Sequence, residues 1–132
     1  MTKELISEMT YTDEREITIL TIDEYKGYTY YVVSYGTHPC AYIELTENNT
    51  LYGKDDSEIQ LDCHGGITYA NDNIKHITPI SENRWIIGWD YAHNGDYFLA
   101  CNTGKKWTTT EIIQECKEVI KQVMKYEKTQ EQ

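Results

Sequence analysis

Guanidinium groups are nearly missing from this 132-residue chain: Arg15 and Arg84 are the whole supply, within 12 basic against 22 acidic side chains. Affinity for bulk DNA or RNA rests on clustered Lys and Arg that displace counterions from phosphates. General nucleic-acid binding is therefore not expected, nor is attachment to an anionic membrane. The net charge of −10 leaves room only for mimicry of a phosphate backbone, and acidity alone is a poor argument for that. No run of 18 apolar residues occurs, which excludes a membrane-spanning helix. The opening MTKELISEMT is polar and lacks the apolar stretch of a secretory leader, so the expected location is cytoplasmic. Cysteine is sparse (Cys40, Cys63, Cys101, Cys116), with no C-x-x-C or H-x-x-x-H pair. Neither a disulfide framework nor a zinc site is expected, and no metal or other cofactor is.

Phenylalanine occurs once and proline twice, whereas there are 12 tyrosines and 3 tryptophans. Such rings pack like apolar groups yet keep a polar handle, which suits half-buried sheets and binding surfaces alike. Residues 16–25 (EITILTIDEY) alternate as a strand should, and 27–36 (GYTYYVVSYG) are rich in β-branched and aromatic residues. The break at GTHP and the run CAYIEL (40–45) predict a hairpin. Further strands are expected at IQLD or IQLDC (59–63), at ITYA (67–70) and at RWIIGWDYA (84–92). DYFLACN (96–102) is expected to pair back across HNG.

The last helix is the clearest element. Ile112, Ile113, Cys116, Val119, Ile120 and Val123 form one stripe at helical spacing. Thr108 and Glu111 fit a capping box, with Trp107 and Ile112 as its hydrophobic staple. Lysines gather toward the C-terminal end, where they suit the helix dipole. The expected class is α+β: a mostly antiparallel twisted sheet with one long C-terminal helix packed on a face. Residues 1–132 read as one domain, with 1–12 and 127–132 loose.

Chemistry-bearing residues gather at three chain breaks. The first is GTHPC, with His38 and Cys40. The second is DCHGG, with Asp62, Cys63, His64, Gly65 and Gly66. The third is GWDYAHNGD, with Trp89, Asp90, Tyr91, His93, Asn94 and Asp96. Loops at strand ends can be presented to one spot by a rigid sheet, and a shared hollow is the expectation. Gly65 and Gly66 allow positive φ and could offer backbone amides to an anion. A bulge or tight turn is the favoured explanation of the pair. An imidazole's ordinary pKa lies near neutrality, so a histidine at position 64 can donate to a ligand or act as acid or base. Trp85, Trp89 and Tyr91 share one parity, as a core stripe or as a platform for a planar group. Arg84, with Lys105 and Lys106, supplies the local cations.

The blocks THPCAYIEL, DCHGGITYA and WIIGWDYAHNGDY together resemble a family of small uncharacterised proteins carried by bacteriophages of Gram-positive hosts. The likeness spans roughly residues 27–100. It implies a phage origin and a role in the cytoplasm of an infected bacterial cell, without an activity or catalytic residues to transfer. By analogy with small phage proteins that sequester bacterial immune second messengers, it points to anti-defence.

Three functions are consistent with these residues. The leading one is binding and sequestration of a small nucleotide-derived ligand by His38, His64, Gly65, Gly66, Arg84, Trp89, Asp90, Tyr91 and His93. The second is a phosphodiesterase- or nuclease-like hydrolase in which His64, His93 and Asp90 are catalytic. The third is an acidic, tyrosine-rich inhibitor of a host protein. Non-catalytic binding is favoured over an enzyme. The aromatic strands also offer a surface to a second copy, as in a homodimer or higher homo-oligomer.

Overall fold

The computed structural model describes residues 17–36, 38–74, 77–78, 84–97 and 103–128. Among them are five strands: β1 (Thr18–Tyr25), β2 (Tyr28–Ser34), β3 (Pro39–Leu45), β4 (Tyr69–Asn71) and β5 (Trp85–Asp90). They form one antiparallel sheet in the order β1-β2-β3-β5-β4. One α-helix, α1 (Thr109–Met124), packs across a face of it. The expected α+β class is therefore the observed one. No helix among the described residues is long and apolar enough to cross a membrane.

Strand alternation builds a core on each side of the sheet. Tyr30, Val32, Ala41, Ile43, Ile87 and Trp89 face α1 and meet Ile112, Cys116, Val119, Ile120 and Val123. The opposite face carries Tyr31, Val33, Cys40, Tyr42 and Ile86, covered by Ile17 and Ile74. β1 and β2 join through Lys26 (φ 49°) and Gly27 (φ 87°), the two left-handed residues of a tight hairpin turn. The α1 cap forms as expected: Thr108 Oγ1 accepts from the Glu111 amide at 3.1 Å, and Glu111 Oε1 from the Thr108 amide at 3.0 Å. At the far end, buried Asn49 donates to the Val123 carbonyl at 2.9 Å and accepts from the Leu51 amide at 2.9 Å. A buried amide with its partners supplied fixes where the helix ends on the sheet.

The structure corrects the sequence reading in two places, at IQLDC and at residues 127–128. IQLDC forms no strand. Residues 62–64 lie along α1, where Asp62 exchanges two 2.8 Å bonds with the Gln122 side chain and the His64 amide donates to Glu115 at 2.9 Å. Helix side chains supply the partners a sheet would have supplied. Of DYFLACN only residues 96–97 are described, where Asp96 bridges Lys105 in parallel; residues 98–102, on which the expected pairing with β5 rests, lie outside the described residues. The chain at 127–128 is tied down, with Tyr28 Oη donating to Glu127 at 2.6 Å and the Lys128 amide to Asn48 at 2.8 Å. The N-terminal stretch 1–12 and residues 129–132 lie outside the described residues.

Candidate functional site

The three chain breaks lie at one end of the sheet. β3 begins where β5 ends, with Cys40 opposite Asp90 and the Tyr91 amide donating to the Pro39 carbonyl at 3.0 Å. DCHGG leads into β4 beside Gly88, near that same end. Antiparallel pairing thus places the segments around 38, 64 and 93 at the same end of the sheet, while side-chain direction decides what each contributes.

His64 is the centre. Its ring stacks on Tyr91, with centroids 4.7 Å apart and planes within 9°. It meets Trp107 edge-on at 4.9 Å and His93 at 5.5 Å. Its Nε2 lies 2.7 Å from Asp96 Oδ2. That carboxylate also accepts from the His93 amide at 3.0 Å and from the Trp107 indole at 2.9 Å. Burial alone would raise the pKa of Asp96, which is 3 % exposed. The bonds from the His93 amide, the His64 ring and Trp107 outweigh burial and hold it below the usual carboxylate range. An ionised Asp96 orients the imidazole by taking Nε2–H. The other ring nitrogen, Nδ1, makes no hydrogen bond among the described residues, and the side chain is 23 % exposed.

Beneath the ring runs a second set of bonds. Trp89 Nε1 donates to Tyr91 Oη at 3.0 Å, and Tyr91 Oη donates to Glu115, which also accepts from the His64 amide. Burial and the Glu115 hydrogen bond push the Tyr91 phenol far up, so it remains a donor.

The turn that presents His64 depends on Gly65. The Gly66 amide donates to the Cys63 carbonyl at 3.0 Å, closing a turn whose third residue, Gly65, has φ +73°. A Cβ at Gly65 would stand 2.2 Å from His93 Nε2, so the imidazole rests where any side chain would be. Both the turn and the close approach require glycine here. His93 Nε2 in turn lies 3.2 Å from Asp90 Oδ1, off the line of a hydrogen bond and closed to solvent.

Several expected site residues have different roles. Trp89 and Tyr91 are 1 % and 0 % exposed, so neither is an open stacking platform; Tyr91 already carries His64 on its face. Arg84 stands at the opposite end of β5, about 20 Å along the strand from Asp90, facing Glu44 at 3.6 Å. The Gly66 amide is engaged in its turn and is not open to an anion. Asp90 points to the sheet face away from α1, since it alternates with Trp89. The His38 carbonyl accepts from the Tyr35 amide at 3.3 Å and so belongs to the β2–β3 turn. Lys105, by contrast, does lie near the site, its Nζ 4.0 Å from the Trp107 ring centroid. Cys63 is no activated nucleophile: burial, then the Glu115 charge, push its thiol up to about 12.

Glu115, Trp107 and the central role of Asp96 are additions the structure makes. Glu115 had a visible signal: it sits three residues after Ile112 and four before Val119, a carboxylate within the apolar stripe. Trp107 carried only its staple signal, and Asp96 looked like one of many loop carboxylates. No group of three or more His, Cys, Asp or Glu side chains among the described residues is placed to hold a metal ion. Compared with family models, curated proteins and solved structures, the chain matches none.

Proposed function

We propose that this protein captures a small nucleotide-derived ligand at the His64–His93 corner, in the manner of a sequestering protein directed at bacterial second messengers. The observation that supports this best is the His64 imidazole, held by Asp96 and Tyr91, with no hydrogen bond at Nδ1 among the described residues. A pre-oriented ring loses little entropy on meeting a ligand. Trp107 and His93 add planar surface for a base, and Lys105 stands beside Trp107 for a phosphate. The protein's net negative charge is screened beyond about 8 Å at cellular salt, so local contacts dominate at the corner. A phage protein in the cytoplasm of an infected cell, as the sequence motifs suggest, would meet such signals there.

One observation favours a hydrolase as the second reading. The His64–Asp96 pair at 2.7 Å, with His93 beside it, has the form of an oriented acid–base couple. Calorimetry against a panel of linear and cyclic nucleotides, followed by mass spectrometry of heat-released ligand, separates the two. Capture predicts intact nucleotide returned in stoichiometric amount, and at least ten-fold weaker binding by His64→Ala. Cleaved product would move the assignment to the hydrolase, and no binding across the panel would end both.

A further inference from the structure

On the sheet face away from α1, a hollow of about 140 Å³ opens between Cys40, Tyr42, Thr68, Tyr69, Trp89 and Asp90. It opens on the other side of the sheet from His64 and adjoins that corner through Asp90, which lies 3.2 Å from His93: Cys40 and Tyr42 belong to the core opposite the helix, and His64 rests on Tyr91 in the helix-side core. Two aromatic rings wall it, Tyr42 and Tyr69, set edge-to-face at 5.3 Å.

The charge inventory of this hollow is simple. Burial, and then the neighbouring Asp90 charge, push the Cys40 thiol up to about 12, so it stays neutral. Burial likewise pushes the Tyr42 and Tyr69 phenols up. Their hydroxyls are engaged as well, Tyr42 with Tyr35 at 2.9 Å and Tyr69 with the Asn73 carbonyl. That leaves the Asp90 carboxylate as the one charge on the lining. Its Oδ1 accepts from the Ala92 amide at 3.2 Å and faces His93, while Oδ2 has no hydrogen bond among the described residues.

We infer that this hollow is a binding site for a small organic cation, an alkylammonium ion whose charge meets Asp90 and whose carbon body lies against the paired Tyr42 and Tyr69 rings. The physical basis is complementary on both counts. Aromatic rings attract a cation through their quadrupoles, and a carboxylate with an open oxygen supplies the counter-charge. An anion would meet the same carboxylate without a cation on the lining to offset it. The protein's overall charge of −10 draws the same class of ligand from a distance.

The test uses propylammonium and its neutral analogue 1-propanol, titrated separately into the full chain at low salt. Binding is read from the NMR signals of the Tyr42 and Tyr69 rings. Saturable shifts with propylammonium, and binding about ten-fold weaker with propanol, are the expected result. Asp90→Asn should erase the preference for the cation while circular dichroism stays unchanged. His64→Ala should leave the amine titration intact even as it weakens nucleotide capture, so the two sites fail independently. Equal affinity for the two probes, absence of saturation, or a preference that survives in a folded Asp90→Asn would overturn the proposal. The comparison of probes on the unaltered chain decides even if the variant does not fold.

Discussion

The His93 imidazole lies directly against the Cα of Gly65, so close that a methyl group there would sit 2.2 Å from Nε2. Gly65 also holds a φ of +73°. Gly65→Ala therefore meets a backbone penalty and a steric one together. A stability loss of about 1–3 kcal/mol is expected in urea denaturation. The His93 ring signals should shift by NMR even where the fold survives. An alanine variant of unchanged stability and unchanged His93 signals would contradict this packing.

Asp96 predicts an acid dependence. Its folded pKa lies below the ordinary value of 3.8, so its stabilising contribution is present above that value and fades as pH falls through the folded one. Asp96→Asn removes the charge and keeps a single acceptor oxygen, so its amide NH2 must face at least one of the three existing donors. The variant should lose about 1.5–3 kcal/mol at pH 7 and show a flatter stability profile below pH 4. Denaturation midpoints taken across pH 2.5 to 7 on both proteins provide the check, using roughly half-unit steps.

Tyr91→Phe keeps the ring under His64 and removes only the hydroxyl. The Trp89 indole N–H, in a side chain 1 % exposed, then loses its acceptor. An unpaired buried donor costs about 1–3 kcal/mol, to be read from thermal and urea unfolding. Tryptophan emission should change with it. His64 should keep its ring-current-shifted resonance, because the stacking surface is intact.

The thiols should be slow. Burial raises the pKa of Cys40 and Cys63 to about 12 and carries Cys116 higher still. Alkylation proceeds through the thiolate. Iodoacetamide at pH 7.5 should leave these three unmodified in the native protein and label them quickly once it is unfolded, as followed by peptide mass mapping. Rapid native labelling of Cys63 would point to an activated thiol instead.

Much of the fold was legible because two patterns are cleanly written. Aromatic and β-branched runs mark β2, β3 and β5, which are buried on both faces, and the Ile112–Val123 stripe marks α1, with Thr108 and Glu111 naming its first turn. IQLDC misled because its alternation is genuine while the Asp62 amide, and the His64 amide just past the segment, pair with Gln122 and Glu115, which no local pattern announces. The site was half legible. Histidines beside glycines drew attention to 64 and 93, and both are there. The aromatic parity of Trp89 and Tyr91 was also correct, but parity cannot tell an exposed platform from a core. The convergence on Asp96 needed coordinates, since its three donors come from residues 64, 93 and 107.

The bonds that lash residues 62–64 to Gln122 and Glu115 make the His64 corner a passenger of α1. The loop has no ladder of its own to hold it in register, so its order is borrowed from the docked helix. A disturbance that loosens α1, even at a turn remote from the histidines, would release the corner while the central strands remained paired.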